Sequence, residues 1–207
     1  MSSSFWRSWK GVAVAASVIA VVAASFVLPD AFSKKGSSPG AVHAISLGVD
    51  QGAGLPVGSS VPAFSERNVE TGQPINSKSV YGKKTLLFFS EGVMCQACFE
   101  QIKGLERFGA VLHTRGIQLI SITPDRPGDL KQAISQYRIT TPMISDDDGT
   151  MSEAFNTLGQ GMHGNTPGHA FALVDTGKVL WYRDYWLPPA RSMYVEPAKL
   201  LADIPSS

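Results

Sequence analysis

The chain carries two cysteines in 207 residues, and both fall within Met94-Cys95-Gln96-Ala97-Cys98, separated by two residues. No other feature narrows the possibilities so far. A disulfide closing so short a loop removes little entropy from the denatured chain, so a purely structural staple is weakly motivated. Small secreted domains stabilised by disulfides normally hold more cysteines at wider separations. The spacing fits reversible thiol chemistry or metal ligation. A structural zinc site needs four ligands; no second such pair exists, and His163 and His169 lie far beyond the ~12 to 15 residues between ligand pairs of a zinc finger. Two thiolates joined by a distant histidine or methionine would suit Cu(I) better, which keeps a copper-binding delivery module as an alternative.

The surroundings of the pair favour redox chemistry. Lys84 to Ser90 (KTLLFFS) is a short apolar run after Tyr81-Gly82-Lys83 and reads as a buried strand. From Cys95 to about His113, Phe99, Ile102, Leu105, Phe108 and Leu112 recur at spacings of three and four, which predicts an amphipathic helix with the cysteines in its first turn. A helix start offers unpaired N–H groups and the positive end of the macrodipole, which favour a thiolate, at Cys95 most. Cys98, about one turn further on, faces the same side and can close a disulfide. Cys95 is therefore expected to attack and Cys98 to resolve. Glu91 and Glu100 flank the motif as candidates for proton transfer to or from Cys98. His169 is a candidate copper ligand or proton carrier, set against the ordinary reading of an exposed or hydrogen-bonded histidine at a strand start.

Further along, Ile117 to Ile122 reads as a second buried strand and Asp129 to Tyr137 as a helix. Met143 to Ser145 is a brief extended piece, and Met151 to Leu158 a short helix. Ala170 to Val174 and Val179 to Tyr182 form a hairpin around Asp175-Thr176-Gly177-Lys178, and Pro197 to Asp203 is a last helix. Alternating strands and helices closed by a hairpin predict an α/β sandwich with a mixed central sheet flanked by helices. Asp146-Asp147-Asp148 lacks the ligand spacing of a calcium loop and reads as a turn.

Residues 11–28 contain no charge and are apolar on every face, long enough as a helix to nearly cross a hydrocarbon core of roughly 30 Å. Arg7 and Lys10 precede them, which places residues 1–10 in the cytoplasm and the rest outside by the positive-inside rule. The expected location is thus the cell membrane, single-pass, with the redox domain extracytoplasmic; the alternative is secretion after cleavage near Ser33. Residues 29–60, rich in Gly, Ser and Pro, read as a flexible linker to a domain at 61–204. A net charge of +1, with no basic cluster interleaved with aromatics, argues against nucleic acid as a partner.

With Leu86-Leu87-Phe88-Phe89-Ser90 leading into Cys95-Gln96-Ala97-Cys98, residues 61–204 resemble the thioredoxin-like superfamily. The likeness is to the branch that unites peroxiredoxin-like redoxins of AhpC/TSA type with membrane-anchored thiol oxidoreductases. Asn165-Thr166-Pro167-Gly168-His169-Ala170-Phe171 resembles that fold's strand opened by a cis proline. This implies that Pro167 is cis and that Thr166 presents its backbone to an extended substrate beside Cys95, making both candidate substrate-binding residues. The family's peroxidases carry Pro-x-x-x-Thr-x-x-Cys. Read onto Cys95, that pattern meets Phe88 and Gly92; read onto Cys98, it meets Glu91 and Cys95. The expected activity is accordingly dithiol/disulfide exchange with protein substrates outside the cytoplasm, with a thiol electron donor or acceptor as second partner and thiol peroxidase activity as an alternative. No metal is assigned, and the Cys95–Cys98 disulfide is the only redox group.

Overall fold

A computed structural model describes residues 52–206. The segments 1–10 and 11–28, and most of 29–60, lie outside the described residues; among residues 52–206 no helix is long and apolar enough to cross a membrane. In chain order the elements are β1 (Ser65–Arg67), β2 (Pro74–Asn76), β3 (Lys84–Phe89), α1 (Gln96–Arg107), α2 (Gly109–Thr114) and β4 (Ile117–Thr123). There follow α3 (Pro127–Tyr137), β5 (Met143–Ser145), α4 (Thr150–Ala154), β6 (Ala170–Asp175), β7 (Lys178–Asp184) and α5 (Pro197–Asp203).

The five-stranded sheet has the order β5-β4-β3-β6-β7. β3 runs parallel to β4, and β4 to β5, through helical crossovers, whereas β6 lies antiparallel to β3 and β7 antiparallel to β6. The sheet is therefore mixed, as the alternation of patterns requires. β3 occupies its centre with both faces covered, which is why its sequence is continuously apolar and not alternating. Side chains still alternate by position. Leu86 and Phe88 enter one core layer with Cys98, Phe99, Ile102, Leu105, Phe171 and Leu200, while Leu87 and Phe89 enter the other with Ile120, Ile122, Ile144, Phe155 and Ala172. Each such Leu or Phe, at about 1.5–3 kcal/mol of burial, holds the strand in register. The end of β3 is thereby fixed beneath the cysteines.

Four sequence expectations are corrected. The helix read as running to His113 breaks at Phe108, and a second short helix starts at Gly109, a residue with poor helix propensity. Val61-Pro62-Ala63-Phe64 resembles the usual entry strand of thioredoxin-like redoxins but is not a strand here; the first strand among the described residues is β1, which pairs with β2. α3 begins at Pro127, two residues earlier than expected, because proline suits the first turn of a helix.

The fourth correction concerns the end of the linker. Gly52 to Ser60 docks on the domain: Gly54 N–H donates to the Asn156 carbonyl (2.7 Å), Gly58 N–H to Val179 (2.8 Å), and Val179 N–H to Ser59 (3.0 Å). Ala53 is buried. Gly54 has φ +74, and a Cβ there would lie 2.3 Å from the Tyr182 ring, so this glycine serves close approach and not slackness.

Candidate active site

The chain leaves β3 at Phe89, passes Ser90 and Glu91, makes one 3-10 turn over Gly92–Met94, and enters α1 with Cys95 as its N-cap. Cys95 N–H donates to the Gly92 carbonyl (2.9 Å), and Cys95 Sγ accepts the Cys98 N–H (3.2 Å). The outer sulfur thus occupies the place a serine or aspartate oxygen usually takes at a helix start, facing the positive dipole end and a first-turn N–H that it shares with the Cys95 carbonyl (3.0 Å). Cys98 lies in the first turn, its Cα 5.3 Å from that of Cys95, and the two sulfurs are joined in a disulfide. Exposure separates their roles: Cys95 is 7% accessible and Cys98 fully buried. An incoming group can reach only the first.

The turn before Cys95 is clamped from across the sheet. Asp125, just beyond β4, accepts the Val93 N–H at Oδ2 (2.9 Å), while its own carbonyl accepts the Ser145 hydroxyl (2.7 Å). Burial raises the Asp125 pKa, and the Val93 N–H partly offsets that rise. Gly92 adopts φ +79 directly against this carboxylate. Nothing local in the sequence indicated the clamp, since its halves are separated by 32 residues.

His169 lies immediately before β6 with no exposed surface. Its Nδ1 is 3.8 Å from Cys98 Sγ and its Nε2 is 3.2 Å from Gln101 Oε1. The ring meets Phe88 edge-on at 4.7 Å and Phe171 at 5.5 Å. Burial lowers its pKa to about 3, so the imidazole is neutral at physiological pH. Of the exposed or hydrogen-bonded histidine expected at a strand start, the structure shows the hydrogen-bonded one, and shows it buried, because the hairpin draws this position inward against α1.

The other candidates fall elsewhere. Glu91 is buried, but its carboxylate is engaged by the loop before β6: Oε1 accepts the Met162 and His163 backbone N–H groups, and Oε2 lies 2.9 Å from His163 Nδ1. It straps that loop to the end of β3. Glu100 is exposed and accepts Gln96 Nε2 (3.1 Å) along the helix surface. Pro167 is buried but follows a trans peptide, the cis bond among the described residues being Pro188–Pro189. The Thr166 carbonyl already accepts the Gly161 N–H (2.9 Å), and its hydroxyl donates to the His163 carbonyl (3.2 Å). The expected cis bond before Pro167 is thus corrected, and the Thr166 backbone expected to face a substrate has its carbonyl tied into its own loop. No group of three or more His, Cys, Asp or Glu side chains among the described residues is placed to hold a metal. Around Cys95, Met94 and Val93 are solvent-exposed, as is Met162 in the strapped loop.

Relatives place this geometry in a family. The bcp protein of Haemophilus influenzae, provisionally named a peroxiredoxin, is 29% identical over 106 residues, covering 51% of this chain and 68% of its own length. Among solved structures, peroxidoxin BcpB from Mycobacterium tuberculosis matches 71% of this chain and 94% of its own at TM-score 0.60 and 21% identity. A Chlorobium tepidum structure provisionally named as the thiol:disulfide interchange protein DsbE matches 72% and 98% at TM-score 0.55 and 21% identity. These likenesses establish a thioredoxin-like α/β fold with a mixed sheet. Residues 57–182, more than half of the chain, match the model of the AhpC/TSA family, so the chain is a redoxin that belongs to the AhpC/TSA family and has peroxiredoxin homologues.

Proposed function

We propose that the chain is a dithiol–disulfide oxidoreductase acting through Cys95 and Cys98. The observation that carries this reading is the disulfide at the start of α1, with Cys95 at the surface and Cys98 buried behind it. In the reducing direction, Cys95 thiolate attacks a substrate disulfide R–S–S–R′, forming Cys95–S–S–R and releasing R′S⁻. Cys98 then attacks the Cys95 sulfur, closing the intramolecular disulfide and releasing RS⁻; two electrons pass from the dithiol to the substrate. Oxidation of a substrate dithiol is the same exchange in reverse. The exposed Val93, Met94 and Met162 suit contact with a protein substrate, and the apolar, uncharged residues 11–28 motivate placing the domain outside the cytoplasm on a membrane anchor.

A second reading, a thiol peroxidase, is favoured by the names of the relatives. In that chemistry the Cys95 thiolate attacks a peroxide O–O bond to give a sulfenic acid and water or alcohol, and Cys98 condenses with it to yield the disulfide and a second water. The residues argue against a pocket built for that attack. Where the peroxidase pattern needs proline and threonine, Phe88 is stacked on Phe171 with ring centroids 4.4 Å apart, and Gly92 carries no side chain.

One pair of measurements decides between them. Reduced protein is mixed at stoichiometric ratio with a peptide disulfide and, separately, with hydrogen peroxide, using Cys95→Ser and Cys98→Ser as controls. The exchange reading expects rapid oxidation by the disulfide, abolished in Cys95→Ser, and peroxide oxidation at the rate of a free thiol. Rapid peroxide oxidation with slow disulfide exchange would reverse the order of the two readings.

A further inference from the structure

The polar groups behind Cys98 form a chain whose hydrogens can be assigned from geometry alone. Gln101 Oε1 lies 2.7 Å from the Val195 backbone N–H, which can only donate, so the atom facing it is the amide oxygen. That oxygen is also 3.2 Å from His169 Nε2. An amide oxygen only accepts, so Nε2 carries the ring hydrogen. In a neutral imidazole this leaves a lone pair on Nδ1, directed at Cys98 Sγ 3.8 Å away. The backbone of the C-terminal tail thereby sets the Gln101 amide, the amide sets the tautomer, and the tautomer turns an acceptor toward the resolving sulfur.

We infer that His169 accepts the proton of the Cys98 thiol as that sulfur attacks the mixed disulfide, and that Gln101 is the positioning residue that keeps His169 in the required tautomer. The inference rests on the dithiol reading above and applies to the resolving step alone. When Cys98 Sγ bonds to Cys95 Sγ, the Cys95–S–R bond breaks and its electron pair leaves on RS⁻. The proton passes from Cys98 to Nδ1 as the new S–S bond forms and is then released to solvent, where it balances the charge of RS⁻, so the step ends with His169 neutral.

Two further observations support a role beyond filling space. Gln101 is fully buried, and its Nε2 has no hydrogen-bond partner among the described residues, a cost the fold bears while the oxygen is used twice. The ring is enclosed by Phe88 from β3, Phe171 from β6, and Cys98 with Gln101 from α1. From the end of β7, Asp184 accepts the His169 backbone N–H (3.0 Å), and Tyr185 donates its N–H to the His169 carbonyl (2.9 Å). Burial keeps the ring neutral and its lone pair free in mild acid, where an exposed histidine is already protonated; the same burial weakens it as a base, so the proton moves only as the Cys98–Cys95 bond forms.

The test is single-turnover reaction of the reduced full-length protein with 5,5′-dithiobis(2-nitrobenzoate), which releases one chromophore when Cys95 attacks and a second when Cys98 resolves. His169→Asn removes the base and keeps a polar side chain, while His169→Phe suits the aromatic surroundings; thermal unfolding confirms that each is folded. Both are expected to keep the first phase within a few-fold of the parent and to slow the second by roughly 10²-fold. The parent second phase should be flat between about pH 5 and 8; in the variants it should rise about tenfold per pH unit, because Cys98 must then ionise before it attacks. Gln101→Met should slow the second phase less, without touching the base. An unchanged second phase in both His169 variants, or a slower one with the parent's flat pH profile, overturns the inference. A parent first phase no faster than that of free cysteine instead defeats the exchange reading, so the two failures are distinguishable.

Discussion

Substituting Gly92 with alanine should uncouple the cysteine pair from the sheet, and the structure fixes how much this costs. Gly92 sits at φ +79, where a Cβ costs about 1–2 kcal/mol for an L-residue. A Cβ placed there would also fall 1.8 Å from Asp125 Oδ2, the atom that accepts the Val93 N–H. That overlap can be relieved only by moving the carboxylate, which breaks a charge-assisted hydrogen bond of about 1.5–3 kcal/mol. The sum is about 2.5–5 kcal/mol. At a urea dependence of about 2 kcal/mol per molar, the denaturation midpoint should fall by roughly 1.2–2.5 M. A double-mutant cycle isolates the cause: with Asp125→Ala already present, Gly92→Ala should add only the backbone part, about 1–2 kcal/mol. Strict additivity, or a single-mutant cost below about 1 kcal/mol, would refute the clamp. The first phase of disulfide attack should slow as well, since the Gly92 carbonyl holds the Cys95 N–H.

Two further outcomes concern pH. Burial holds the pKa of His169 at about 3, against 6.5 for the ordinary side chain, so between those values the unfolded chain binds a proton that the native state does not. Stability contributed by the neutral ring is complete above pH 6.5 and is lost progressively down to about pH 3, by an amount on the order of 4–5 kcal/mol in full. His169→Phe should therefore flatten the urea midpoint between pH 6.5 and 4, and an equally steep decline in the variant would contradict this. Glu106 is the opposite case. Burial raises its pKa, but the Lys103 ammonium and the Thr140 and Thr141 N–H groups outweigh burial and lower it on balance. Its contribution is present above the unfolded carboxylate pKa and is lost as pH falls through the lower folded value. Glu106→Ala should cost about 2–3 kcal/mol near pH 7, with the gap to the parent narrowing below about pH 4.5; a gap independent of pH would be the contrary result.

How far the sequence discloses this site depends on the range of the interactions. The central strand, the helix that follows it and the cysteines at their junction are all legible, because burial periodicity and two-residue spacing are local properties. The Asp125 clamp is not, since an aspartate in a turn gives no sign of which distant amide it will face. His169 illustrates the same limit: a polar residue at a strand start is ordinarily exposed, and only the packing of β6 against α1 reveals its burial. Gly54 misleads for a different reason, because a glycine selected for closeness to Tyr182 has the same composition as one selected for freedom. Glu91 lies in the right neighbourhood, but the loop at Met162 and His163 claims its carboxylate first.

The lead-in to the domain has one more consequence. Ser60 bridges to Lys178 on β7, the outer strand on one side, and the Val61 N–H reaches the Gly177 carbonyl in the turn that leads into it. Eight residues further on, Asn68 bridges to Ile144 and the Val69 N–H reaches Met143 on β5, the outer strand on the other. A single short stretch thus occupies part of each rim of the sheet, where bare backbone donors and acceptors would otherwise invite another strand. Shortening the domain past Val69 would bare both rims together and open a route to self-association through the sheet that the intact fold keeps closed.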